Sequence, residues 1–326
     1  MWRAHGMVRA GHLAEAESLY AQARAVFAAS GEPRGEAEAL LNLAELERAR
    51  GDLGAARSHL ERAAELARSE DAPQLQAPVE GALGSLLRSV GETEEAGPHL
   101  LRALEMEQRL GVRQRIGRAQ LNLAALNLDL ESVTMARAFC TQAMKEAQAA
   151  QDDRLQVASA LMMAAITAES GALEVAEADI RATLQHALEA NVPQDRAAAR
   201  LALGSVLLER GAWAEALQPL DGARAEYASL GAFTLLADTL GRMAVAHAHL
   251  GEAEVAERLL TEATRLSDGH PVLAPLLELR EVHLRLATEE NPARALGAAA
   301  ARFSKMARSA AARWDWRVLR AAVAGR

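Results

Sequence analysis

Apolar residues recur at helical spacing along almost the whole chain, and the pattern is interrupted every twenty residues. From Glu32 onward, Ala37, Leu40, Leu41, Ala44 and Leu46 fall on one stripe, which Gly51 and Asp52 then break. A second stripe follows on Leu53, Ala56, Leu60, Ala63, Ala64 and Leu66, and Asp71-Ala72-Pro73 opens the next unit. The pattern predicts a helical hairpin, two helices of about sixteen residues joined by short turns. No segment alternates apolar and polar residues with period two, so no strand is expected.

The hairpin repeats on a fixed ruler of forty residues. Gly11, Gly51, Gly91, Glu131, Gly171, Gly211 and Gly251 mark one set of turns, and Ala16, Ala56, Ala96, Ala136, Ala176, Ala216 and Ala256 each follow five residues later. A second set lies twenty residues out of phase: Gly31, Asp71, Gly111, Gln151, Asn191, Gly231 and Pro271. A period this long, held without insertion, belongs to a solenoid of repeated supersecondary units. Small residues fall where the helices cross, Ala44 against Ala56 and Gly84 against Ala96, so the axes can approach closely. Pro98 and Pro219 lie within second helices and are expected to kink them or delay their start.

Short motifs recur in register with the ruler. Asn42-Leu43-Ala44 and Asn122-Leu123-Ala124 carry one signature, with partial versions at Ala82-Leu83-Gly84, Ala202-Leu203-Gly204 and Met163-Ala164. Gly51-Asp52 with Ala56, Leu60 and Ala63 carries another, which returns at Gly91-Glu92 and at Gly251-Glu252. On these residues the chain resembles the tetratricopeptide repeat family over almost its whole length. It departs from the family in period, forty residues against about 34. The longer hairpin is similar to those of kinesin light chains, spindle-orientation adaptors and regulatory tails of bacterial signalling ATPases and kinases. The resemblance implies an all-α, right-handed α-α superhelix of about eight hairpins. The expected solenoid covers 1–290, with a truncated first repeat at 1–31. Complete repeats follow at 32–71, 72–111, 112–151, 152–191, 192–231 and 232–271, and 272–290 begins a divergent last one. Residues 291–326 are expected to hold a divergent helix, in which Leu296 and Ala300 reverse the core order after Asn291-Pro292, and a capping helix with Trp314 and Trp316. Met1 falls inside the first helix of its repeat, which suggests that the chain continues upstream or opens on a short cap.

Composition narrows the function. Half of the 326 residues are hydrophobic, and 76 are alanine, which suits close packing between helices. Arginine outnumbers lysine 34 to 2, which reads as the coding bias of a GC-rich, bacterial genome. Cys140 stands alone, so no internal disulfide is expected, and it falls at a core position. Without a signal peptide or a long apolar run, the chain is expected to be cytoplasmic with no membrane partner. No glycine-rich phosphate loop, metal-ligand spacing or nucleophile motif is present. The expectation is therefore a protein that is not an enzyme and takes no cofactor or metal. His247 and His249, two residues apart on a helix, point in different directions, and His59 and His99 fall at surface places.

The family resemblance assigns the first helix of each hairpin to a concave groove. The groove row then includes Glu38, Asn42, Glu45, Asn122, Asp129, Met162, Glu169, Glu209 and Arg242. First-helix segments are close to neutral in charge and second-helix segments are acidic, so the net charge of −8 belongs to the outer surface. Asn42 and Asn122 each offer a donor and an acceptor to a ligand backbone, as this Asn does in related proteins. Lysine is absent from the row, which argues against the carboxylate clamp of the family's chaperone-binding members. Asp129, Glu169 and Glu209 form an acidic line that a basic ligand segment could bridge. The chain is thus expected to be an interaction scaffold or regulatory module binding a peptide or protein segment. A sensor of a small molecule or short signalling peptide is the alternative. The segment from Glu290 to Arg326 carries eight basic and two acidic residues. It raises nucleic-acid contact, which an acidic body disfavours, and self-association through the basic helix.

Overall fold

In the computed structural model, residues 1–10, 13–267, 270–288 and 310–324 are described. Gly11 and the stretch containing Asn291, Leu296 and Ala300 lie outside them. Among the described residues there are sixteen helices and no strand. The first helices of the hairpins are α1 (Trp2–Ala10), α3 (Pro33–Arg50), α5 (Pro73–Ser89), α7 (Arg113–Asp129), α9 (Asp153–Glu169), α11 (Pro193–Glu209), α13 (Phe233–His249) and α15 (Leu273–Thr288). The second are α2 (Leu13–Ser30), α4 (Leu53–Ser69), α6 (Thr93–Leu110), α8 (Val133–Ala150), α10 (Leu173–Ala190), α12 (Trp213–Leu230) and α14 (Ala253–Leu266). The last helix, α16, spans Ala310–Ala324.

The ruler is a row of left-handed corners. All twelve positions from Gly31 to Gly251, taken every twenty residues, have φ between +46° and +92°. At Gly51 the amide donates to the Arg48 carbonyl and that of Asp52 to the Glu47 carbonyl, which satisfies two orphan acceptors of α3. Glu131 and Ser132 repeat the pattern on Leu128 and Asn127 without a glycine. The next helix starts two residues after each corner. Proline at Pro33, Pro73 and Pro193 needs no amide partner there, and Asp52 and Asp152 accept from the amides of Ala55 and Leu155 at 3.0 Å.

Glu131 (φ +60°) and Gln151 (φ +53°) hold this conformation with a Cβ, which costs an L-residue energy that glycine avoids. Glu131→Gly should therefore raise stability by about 0.5–1 kcal/mol, after glycine's larger unfolded-state entropy is subtracted. Asn191→Gly should gain less, because asparagine tolerates this region. Thermal denaturation of the two variants against wild type checks the order.

The chain divides into two compact units. The first comprises Met1–Leu126, Ala138–Ser159 and Ser229–Gly231. Within it α3 packs on α4, α5 on α6, and α3 on α5. Its core is built from Ala44, Ala56, Leu60, Ala82 and Leu86, with Ala37, Leu40, Ala63 and Val79 beside them. Gly84 answers a tight crossing: a Cβ there would lie 2.6 Å from the Leu100 side chain and 3.2 Å from the Ala96 carbonyl. Cys140 is fully buried, with its thiol on the Ser159 carbonyl.

The second unit comprises Asn127–Arg137, Ala160–Ala228 and Ala232–Arg326. Here α10 packs on α11, α13 on α14, and among the first helices α11 packs on α13 and α13 on α15. Its core joins Ala164, Ile180, Leu203, Leu207, Leu220 and Met243 with Trp314 and Val318 of α16.

The two prolines lie inside continuous helices. Helices α6 and α12 begin in register, at Thr93 and Trp213, and run through Pro98 and Pro219. Neither start is delayed. Each helix loses one backbone bond, and the buried stripes of Leu100, Leu104 and Leu220 keep it on the core.

Candidate functional site

In the first unit, α3, α5 and α7 line a groove of about 550 Å³. Glu38, Asn42 and Glu45 come from α3 and Asn122 from α7, so four of the expected residues share one wall system. They meet because 38, 42 and 45 lie about one helical turn apart, and 122 is two repeats beyond 42. The Asn42 side-chain amide donates to the Glu38 carbonyl of its own helix at 2.7 Å.

The groove also holds charges that the first-helix row omits. Arg48 and Arg115 line it beside Arg118, which keeps the row's offset two repeats beyond Glu38, so the cationic donors of the groove are arginines. Arg48 pairs with Glu45 at 2.9 Å. Arg115 donates to the Gln74 carbonyl at 3.0 Å and lies 3.1 Å from Glu107. Glu107, from the second helix α6, is buried at 3% exposure. Burial pushes its carboxyl above the ordinary range, although Arg115 and Arg118 pull it back. The groove thus offers acidic groups on α3, basic groups on α7, and amides on both.

In the second unit, the acidic line is already met by a basic segment, and that segment is the chain's own α16. Arg313 donates to Glu169 at 2.6 Å, to the Asp129 carbonyl at 3.1 Å and to the Leu128 carbonyl. Arg317 joins Glu169, at 2.6 Å, to Glu209. The Trp314 indole N–H donates to the Ser205 carbonyl at 3.2 Å. Arg242, on α13, is covered by α16. Its guanidinium lies 3.9 Å from the centre of the Trp314 ring and bonds Asp238 and the Ser205 hydroxyl. Met162 is half-buried on α9, two turns before Glu169.

Beneath α16 lies a buried ion network. Arg280 is 1% exposed and donates to both carboxylate oxygens of Asp315, at 2.8 and 3.1 Å. It also pairs with Asp238 at 2.7 Å and donates to the Asp238 carbonyl. Burial alone would raise the Asp238 carboxyl, but Arg242 and Arg280 outweigh it and hold the group at about 2. Asp315, with less cationic company, is pushed upward by burial.

Some histidines differ from expectation. His59 and His99 are half-buried and bond Glu47 and Glu80 at 2.8 and 2.7 Å. His249 stacks on Trp213 and bonds the buried His283 at 2.9 Å. Burial, with His249 and Arg280 nearby, keeps His283 well below its usual value. Among the described residues, no cluster of His, Cys, Asp and Glu could hold a metal ion. No described helix is long and apolar enough to cross a membrane.

Residues 1–69 match the family model of the tetratricopeptide repeat. No curated protein matches the chain in sequence. Among solved structures, a Rap protein complexed with competence and sporulation factor is similar, with a TM-score of 0.62 and 15% identity over 99% of this chain and 96% of that one. NprR in complex with its cognate peptide NprX has a TM-score of 0.59 and 17% identity, over 83% and 78%. A signal transduction ATPase with numerous domains and a tetratricopeptide repeat sensor, from Pyrococcus horikoshii, has a TM-score of 0.53 and 13% identity. That match covers 82% of this chain and 43% of the ATPase. At these identities the likeness is one of fold. By that fold the chain is an all-α, tetratricopeptide-like solenoid, and its residues 1–69 match the repeat family in sequence.

Proposed function

We infer that the chain is a binding module that takes a peptide or protein segment of mixed charge into the groove of α3, α5 and α7, as part of bacterial signalling or regulation. The observation that carries this reading is the groove itself. One concave surface gathers Asn42 and Asn122 for a ligand backbone, Glu38 and Glu45 for cationic groups, and Arg115 and Arg118 for carboxylates. The preformed first helices leave little ordering cost on the protein side. Two proteins of the same fold are seen with a bound factor or peptide, which supports the ligand class. The enclosed part of the groove, where Glu107 is buried against Arg115, favours a second reading, a sensor of a small molecule or short signalling peptide. The third reading, nucleic acid on the basic terminal helix, gains no support, since Arg313 and Arg317 face carboxylates.

The test uses the full chain and a library of short labelled peptides carrying both charges, read by fluorescence polarisation, beside a thermal-shift screen of metabolites. Asn42→Ala with Asn122→Ala removes two amides, each worth about 0.5–1.5 kcal/mol, so a bound peptide should weaken roughly 5- to 150-fold. Unchanged affinity of a folded double variant would remove the groove from the reading. Stabilisation by metabolites alone would favour the sensor.

A further inference from the structure

The acidic line sits where helix electrostatics oppose it. Asp129, Glu169 and Glu209 are the last residues of α7, α9 and α11. A helix C-terminus already presents unpaired carbonyls and the negative end of its dipole, so a carboxylate there is unfavourable. Three successive first helices break the same local rule at one ruler position, which makes the rim a place that demands cations. Two arginines four residues apart on α16 supply them, and one of them also donates to the carbonyls of Leu128 and Asp129 at the end of α7. Glu209 is 7% exposed, so this rim is not a solvated surface in the structure.

The remaining contacts give the site a shape as well as a charge. Ala312, Trp314, Asp315, Val318, Leu319 and Ala322 form the buried stripe of α16, and Arg320 faces outward. Its partners lie on α7, α9, α11, α13 and α15, all first helices, so α16 runs along the surface on which this architecture displays a ligand. Trp314 fills the place beside Ser205 and Arg242, and Asp315 on Arg280 fixes the direction of the helix. These are the elements of helix-in-groove recognition: an aromatic anchor, an apolar stripe and a charged clamp.

We propose that the inner face of the second unit is a receptor for a basic helix with a tryptophan between two arginines four residues apart, and that α16 is an intramolecular occupant that closes this face to external segments of the same chemistry. The site is separate from the groove of the first unit, and the proposal stands without the peptide reading given to that groove. Occupation by α16 is self-competition: an external helix binds only to the extent that α16 is displaced, so its apparent affinity is reduced by the fraction of open chain.

The probe is a labelled synthetic peptide of residues 310–324, titrated into full-length wild type and into the full-length Arg313→Glu, Arg317→Glu variant. The variant should bind the peptide at least ten-fold more tightly than wild type. The same peptide with Arg313 and Arg317 changed to glutamate should bind neither protein. Equal binding to both proteins, or none to a variant whose helicity and melting show it folded, overturns the proposal. Hydrogen exchange on wild type gives the second measurement and needs no variant. Amides of α16 that exchange through a local opening, ahead of those of α11 and α13, support a displaceable occupant. Exchange of α16 only with global unfolding makes it a fixed part of the core and sinks the idea.

Discussion

Arg280→Met is expected to destabilise the protein by about 3–5 kcal/mol, the range for breaking a buried ion pair from one side. The guanidinium is 1% exposed, Asp315 is 0% exposed, and Arg280 is the group that neutralises both Asp315 and part of Asp238. Removing it strips the buried Asp315 carboxylate of its hydrogen-bonded counter-charge and leaves only the more distant Arg242 against its desolvation cost. Arg242 continues to serve Asp238, so the loss should fall mainly on Asp315. The corollary separates the charge from the volume. Asp315→Asn added to Arg280→Met should recover part of the loss, because a buried pair replaced on both sides is far less costly than one broken on one side. Urea denaturation of wild type, single and double variants gives the comparison. A double variant no more stable than Arg280→Met would show that packing, and not the stranded carboxylate, sets the cost.

Leu220→Ala is the second large effect, at about 3–5 kcal/mol, near the top of the range for buried leucine. Leu220 is fully buried, and it reaches over Gly204 so closely that a Cβ on the glycine would lie 2.5 Å from it. With no side chain on Gly204, the truncated site has nothing to collapse into the space. Gly204→Ala alone should cost about 1–3 kcal/mol through overpacking against the same leucine. Combined, the two changes should cost clearly less than their sum, since the new methyl occupies the space that the leucine leaves. A double-mutant cycle by denaturant unfolding measures that coupling. Simple additivity would mean that the glycine and the leucine do not share one packing site.

Much of the fold was legible because its punctuation is backbone geometry. A left-handed corner favours glycine, so glycine at forty-residue spacing betrayed the turns, and Asp71, Glu131, Gln151 and Asn191 kept the register where the residue changed. The gathering of Glu38, Asn42, Glu45 and Asn122 was legible too, since equal offsets in equal repeats share a face. Arg48, Arg115 and Glu107 were missed for a specific reason. Arg48 and Arg115 fall on first helices at offsets outside the row, whereas Glu107 enters from the end of a second helix. Both halves of the α16 contact were visible as an acidic line and a basic tail. Their union was not, because Arg313 and Glu169 are 144 residues apart and periodicity carries no information across that distance. Asp129, Glu169 and Glu209 at the wrong end of three helix dipoles were the available signal. The delayed starts expected at Pro98 and Pro219 did not occur, because the loss of one backbone bond was outweighed by the buried leucines of the same helices.

The twelve left-handed corners make the chain editable in whole units. Cutting between two equivalent corners, for example after Gly51 and after Gly91, removes forty residues and joins a chain that leaves one corner to a chain built to arrive from an identical one. The splice alters neither turn geometry nor the face on which any later side chain falls. An array with this grammar can lengthen or shorten by unequal recombination without passing through a misfolded intermediate length. The number of repeats, and with it the reach of the binding surface, is then a property that inheritance can change in a single step.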